Sequence, residues 1–209
     1  MAQHYPFAPI PLPYAYDALL PAVTPETLYC HQRQIYAAYV DQLNALLSAY
    51  PQYHSMDLET LIAGDLNLPA TIAQRISFLA GGIYCHELHF TGMAPAPLEP
   101  PAGPLAGAIA GRYGSIDAFK ELFFQAAESI NGTGFVWLNT DASGDIHIMT
   151  STSYQTPDLH VFTPLFALDT WEHAYFCQWH ANLRGYGMRW FDVLDWTQAG
   201  RRFIMSRRP

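Results

Sequence analysis

The residues with the clearest capacity for chemistry are three histidines and an aspartate. Asp169-Thr-Trp-Glu-His173 sets a carboxylate four residues ahead of an imidazole. The apolar run 165–168 before it reads as a strand, and WEHAYFCQW after it reads as a helix. The two side chains therefore flank a strand-to-helix junction, where they can converge on one point while their backbones stay rigid. His31 and His86 lie among apolar residues in two separate helical patterns. A lone histidine on an apolar helix face is more often a satisfied core residue than a ligand. Burying three imidazoles and a carboxylate without a common partner is different, because it costs several kcal/mol in unsatisfied polar groups. Three neutral nitrogens and one anionic oxygen suit a redox-active first-row metal such as Fe or Mn, with Zn open on ligand type alone.

The elements that must position these groups follow from composition and pattern. Of 209 residues, 50% are hydrophobic and 13% charged, enough apolar surface for a real core and the opposite of a disordered chain. The net charge is -8 and the single lysine is Lys120, which argues against nucleic acid as a partner. No apolar run approaches the ~20 residues that cross a bilayer, and residues 1–20 lack the pattern of a secretion signal. Three cysteines do not make a disulfide framework, so a reducing cytoplasm is the expected location.

Five prolines and a glycine in residues 94–104 can neither continue a helix nor enter a central strand, and mark a linker. The chain then divides into an N-terminal helical-hairpin domain (1–93) and a C-terminal domain (105–209). Thr24-Pro25 reads as a helix cap, followed by apolar positions at helical spacing through Leu46. A second helix spans residues 70–91, with the costly pair Gly81-Gly82 in its middle, which implies a close neighbour there. Ser115 caps a further helix. Residues 134–140 and 145–151, joined by Asp141-Ala-Ser-Gly, read as a β-hairpin, with 165–168 as a third strand. The fold class is α+β: a helical hairpin, then a small three-stranded antiparallel sheet flanked by helices. The basic ending RRFIMSRRP reads as a solvated, frayed tail.

At this point the chain resembles the iron/manganese superoxide dismutases over nearly its full length. The resemblance rests on Leu12-Pro-Tyr-Ala-Tyr-Asp-Ala-Leu19, His31 with Tyr39 eight residues on, and Ala80-Gly81-Gly82 leading to His86. It continues with Tyr113-Gly-Ser, Gly132-Thr-Gly-Phe-Val-Trp137-Leu, Ser151-Thr-Ser-Tyr-Gln155 and Leu168-Asp-Thr-Trp-Glu-His-Ala-Tyr175. It implies one Mn or Fe ion per subunit, bound by His31, His86, Asp169 and His173. It implies that superoxide is dismuted to dioxygen and hydrogen peroxide. Tyr39 takes the place of the family's gateway tyrosine. Gln155 matches the glutamine that, in manganese-type members, reaches from the sheet toward the metal site and that tyrosine. Trp137, Trp171 and Phe135 stand where aromatics wall the site. Glu172 implies a homodimer, because its counterpart bonds a ligand histidine of the neighbouring subunit. Gly82 together with Gln155 follows the manganese arrangement and Thr156 departs from it, so Mn and Fe both stay open.

The departures are specific. Ile35 and Phe176 stand where the family has a histidine and a tyrosine bonded across the dimer interface, a coherent swap to apolar residues. Cys85 replaces the usual asparagine before the second ligand, and His86-Glu-Leu-His89-Phe90 departs from the usual run. Asn182-Leu-Arg-Gly-Tyr186 removes the family's basic pair after the last ligand. Cys30, Cys85 and Cys177 read as small second-layer fillers rather than ligands, and His89 as a pocket residue. The alternative to an active enzyme is a dismutase-fold metal-binding protein with little or no turnover. An Fe(II) oxygenase is a third reading, disfavoured by four protein ligands where the 2-His-1-carboxylate arrangement has three.

Overall fold

Thr24 accepts a hydrogen bond from the Thr27 amide at 3.3 Å, and Pro25 follows it at the first helical position. In the computed structural model, which describes residues 3–207, the first helix therefore starts where the cap predicts. It runs as α1 (Pro25–Tyr29), a π-helical stretch Cys30–Tyr36, and α2 (Ala37–Leu47). π-helical turns widen the helix locally and recur at functional sites; this one carries His31. A short helix, α3 (Leu58–Ala63), capped by Asp57, leads to α4 (Ala70–Thr91), the antiparallel partner of the α1–α2 rod. Tyr36 locks the rod to α4: its hydroxyl donates to Glu87 Oε1 at 2.8 Å and accepts from the Ile10 amide at 2.8 Å.

After the proline-rich stretch come α5 (Gly103–Tyr113) and α6 (Ile116–Glu128), the latter capped by Ser115 Oγ. Strands β1 (Gly134–Asp141), β2 (Ile146–Thr152) and β3 (Phe162–Asp169) form one antiparallel sheet in the order β2-β1-β3. The β1–β3 register sets Phe135 opposite Asp169, so the end of the central strand backs the future site. β3 passes into α7 (Glu172–Trp179), followed by α8 (Leu183–Trp190) and α9 (Trp196–Ser206). The α+β class is as expected from the sequence. One apolar core runs through both halves, from Leu28 and Leu43 to Phe119, Phe166 and Trp190.

Two features differ from the sequence reading. The short helices α3 and α8 were not expected. The basic C-terminal run is not a frayed tail as far as Arg207, while residues 208 and 209 lie outside the described residues. Asp195 caps α9 through the Gln198 amide at 2.9 Å, and Trp196, Ala199 and Phe203 bury one face against the core. Arg202 reaches inward to the Leu165 carbonyl and Thr91 Oγ1, each at 2.8 Å. Apolar spacing along 196–203 outweighs the charge of the run, because arginine stems can cover apolar surface while their heads find partners.

Candidate metal centre

Four side chains meet between the helical hairpin and the sheet. His31 comes from the π-helical stretch, His86 from α4, Asp169 from the last residue of β3, and His173 from the first turn of α7. One ligand-type atom from each lies within 4.8 Å of the others. His31 Nε2 is 3.2 Å and His173 Nε2 3.4 Å from the same oxygen, Asp169 Oδ2. His31, His86 and Asp169 are buried, and His173 is nearly so.

In two of these side chains the other polar atom is already committed. His86 Nδ1 lies 2.6 Å from the Gly82 carbonyl, which makes Nδ1 the protonated nitrogen and leaves the Nε2 lone pair free. Asp169 Oδ1 accepts from the Trp171 amide at 2.8 Å, an Asx-type turn that starts α7 and aims Oδ2 at the histidines. Burial alone would push the Asp169 carboxyl up, but His173 and His31 beside it hold it well below the usual carboxylate range. Burial lowers the imidazoles: His31 well below its ordinary value and His86 to about 4. The result is a desolvated carboxylate beside two neutral imidazoles, His31 and His86.

His31 Nε2, His86 Nε2, His173 Nε2 and Asp169 Oδ2 are all buried without a hydrogen-bond partner. An orphaned buried polar atom costs ~1–3 kcal/mol, and four pointed at one spot are explained by a cation that takes all four lone pairs. The three-nitrogen, one-oxygen donor set fits Mn or Fe.

The other sequence candidates divide into those in the site and those outside it. Tyr39 is half-buried, 5.8 Å ring to ring from His86. Trp171 stacks on His173 at 5.6 Å, and Phe135 and Trp137 form a buried layer behind it, with Trp137 Nε1 donating to Ser151 Oγ at 2.9 Å. A Cβ on Gly82 would lie 2.9 Å from Tyr39 Cδ1 and 3.5 Å from Tyr154 Cγ, so no side chain from this position enters the site without displacing those rings. His89 is buried 5.5 Å from His31 but turns Nδ1 to the Ala167 carbonyl at 3.1 Å and stacks on Trp190, outside the converging set. Cys85 is buried, with its thiol pushed up by burial, while Cys30 and Cys177 are free and more accessible.

Gln155 is the main correction. Its side chain is exposed, accepts from Thr152 Oγ1 at 3.1 Å, and lines a surface cleft with Ser77 and Pro157. The residue that faces the site is Tyr154, whose ring stacks on Trp171 at 4.6 Å and meets Tyr39 edge-on at 4.9 Å. Ser153, in a left-handed conformation (φ 55°), turns the chain just before it. The Gln155 argument for manganese therefore lapses.

A cleft of about 390 Å³ opens onto His173, Trp171, Tyr154 and Tyr39. Arg75 stands in its wall, bonded to Gln42 and lying 5.3 Å over the Phe78 ring. Arg75, Gly82 and His86 sit at i, i+7 and i+11 of α4, one helix face, a spacing that marks Arg75 in the sequence. Arg184, by contrast, is tied at 2.6 Å to Glu121, outside this cleft. Phe176 and Glu172 are exposed on α7, and Ile35 lines the cleft.

Comparison with known proteins matches this arrangement. Residues 6–94 match "Iron/manganese superoxide dismutases, alpha-hairpin domain", and residues 101–202 match "Iron/manganese superoxide dismutases, C-terminal domain". The manganese superoxide dismutase of Thermus thermophilus is 33% identical over 195 residues, 93% of this chain and 96% of that protein. Those of Pseudomonas putida and Pseudomonas aeruginosa are each 34% identical, covering 92% and 96% of this chain and 95% and 98% of their own lengths. With both halves matched in order and the four-ligand centre assembled between them, the chain belongs to the iron/manganese superoxide dismutase family.

Proposed function

We propose that the chain is a superoxide dismutase in which His31, His86, Asp169 and His173 hold one Mn or Fe ion. The observation that carries the reading is the set of four unpartnered, buried donor atoms converging on one point. The bound ion supplies the one-electron couple by which two superoxide anions and two protons become dioxygen and hydrogen peroxide. The chain's own residues do the rest. His86 presents Nε2 because Gly82 holds its Nδ1 proton. Asp169 supplies the single negative charge, kept ionised by its histidine neighbours. Phe135, Trp137 and Trp171 exclude bulk water from the sheet side, and Tyr39 stands at the floor of the cleft by which a small anion enters.

The exposed Phe176 and Glu172 on α7 support a homodimer formed through this face, with Ile35 in the adjoining cleft wall contributing apolar contact where a histidine–tyrosine bond is absent. A division near residues 94–104 and a reducing, cytoplasmic setting for the three free cysteines belong to the same reading. Among the described residues no helix is long and apolar enough to cross a membrane.

The test is superoxide decay after pulse radiolysis, with protein loaded separately with Mn and with Fe. Catalytic decay with at least one metal is the expected result, and names the working ion. The apolar Ile35 and Phe176 and the diverted Arg184 favour a second reading, a metal-binding relative without turnover. Stoichiometric decay at full occupancy of both metals would establish that reading and refute the first.

A further inference from the structure

The Tyr154 hydroxyl is a buried polar atom with no hydrogen-bond partner, and the ring that carries it is 3% exposed. Such a group costs free energy unless something absent from the protein itself completes it. The surroundings leave the ring no freedom to turn away. One face stacks on Trp171 at 4.6 Å, and Phe78, Tyr39 and Phe135 close the edges at 5.3, 4.9 and 6.0 Å. Its backbone rests on Gly81, where a Cβ would lie 2.3 Å from the Tyr154 carbonyl oxygen. The ring also lies 5.5 Å from that of the ligand His86 and lines the cleft that opens on His173. A phenol keeps its proton at neutral pH, so the hydroxyl can donate. It is a fixed donor.

Resting on the dismutase reading above, we propose that Tyr154 is a positioning residue whose hydroxyl donates a hydrogen bond to the small oxygen species admitted beside the metal, and thereby lowers the reduction potential of the centre. The direction follows from charge. The more highly charged, oxidised ion makes oxygen beside it more acidic and more anionic, and a fixed donor favours the more anionic partner. Losing the donor removes that preference for the oxidised state. The aromatic cage holds the phenol in place before substrate arrives, so the hydrogen bond needs no rearrangement to form.

The experiment is a redox titration of the metal-loaded protein followed by visible absorption, which needs no superoxide and stands whether or not the protein turns over. Tyr154→Phe keeps the stacked ring and removes only the hydroxyl. It is expected to raise the reduced-to-oxidised ratio at fixed potential about tenfold, equivalent to about 59 mV for one electron. Site-specific 3-fluorotyrosine at position 154, nearly isosteric and a stronger donor, is expected to move the potential the opposite way, which a pure packing role cannot produce. Gln155→Ala is expected to leave it in place. An unchanged or lowered potential in Tyr154→Phe overturns the proposal. If Tyr154→Phe does not load metal, the fluorotyrosine protein decides alone: a lowered potential supports the assignment and an unchanged one overturns it.

Discussion

Gly81→Ala and Gly107→Ala are the same chemical change at two helix-interior glycines, and the structure assigns them opposite signs. Alanine is favoured over glycine in a helix by about 1 kcal/mol. At Gly107, in α5, a Cβ meets nothing within 4 Å, so the full gain is expected. At Gly81, in α4, the Cβ would sit 2.3 Å from the backbone oxygen of Tyr154, which must withdraw roughly 1 Å to restore an ordinary contact. That oxygen belongs to main chain and cannot swing aside like the end of a flexible side chain. Overpacking of this kind costs about 1–3 kcal/mol and outweighs the helical gain. The assay is thermal and urea unfolding of the metal-free protein. Gly107→Ala is expected to raise the midpoint by about 2–4 °C, and Gly81→Ala to lower it by at least a similar amount. Because Tyr154 carries both the crowded carbonyl and the phenol of the site, Gly81→Ala is also expected to alter the visible spectrum of the loaded centre, and Gly107→Ala to leave it unchanged. A Gly81→Ala protein as stable as its parent would refute the close approach of α4 to the loop after β2.

Other consequences can be measured independently. Arg75→Glu places a negative charge in the wall of the cleft of a protein already at net -8; superoxide decay at low ionic strength should slow about tenfold, with the difference shrinking at high salt, and equal rates would remove Arg75 from substrate capture. In the metal-free protein His86 titrates at about 4 against about 6.5 when unfolded, so the unfolded chain binds more protons between these values. Up to ~3 kcal/mol of stability, fully present above pH 6.5, is then lost as pH falls toward 4. His31 and His89 act with the same sign, and urea midpoints that do not move across this window would contradict the buried-imidazole account. Phe176→Asp introduces a charge on the exposed apolar face of α7 and is expected to yield monomers in sedimentation while metal content is retained; an unchanged oligomeric state would move the interface elsewhere.

Much of this protein is decided locally. The Thr24, Ser115 and Asp141 signals start a helix, start another and close a hairpin through bonds within a few residues, so they are legible in the chain alone. The ligands are legible for a related reason: Asp169 and His173 are separated by one fixed strand-to-helix junction, and His31 and His86 mark the buried sides of long helices. The α9 helix was also written in its spacing, at Trp196, Ala199 and Phe203, but charge at the chain's end masked it. Which of two consecutive residues enters the site was not legible. Tyr154 points in and Gln155 points out because the backbone turns at Ser153 and seats the next residue on the bare face of Gly81. The same holds for the entrance, where Arg75 lines the cleft because α4 packs against α2, while Arg184 is drawn away by Glu121. Residue types and short spacings specified the metal-binding chemistry, since ligand identity and helix period are local properties. The tertiary structure selected the groups around it, because their orientation depends on loop dihedrals and on contacts between segments distant in the chain.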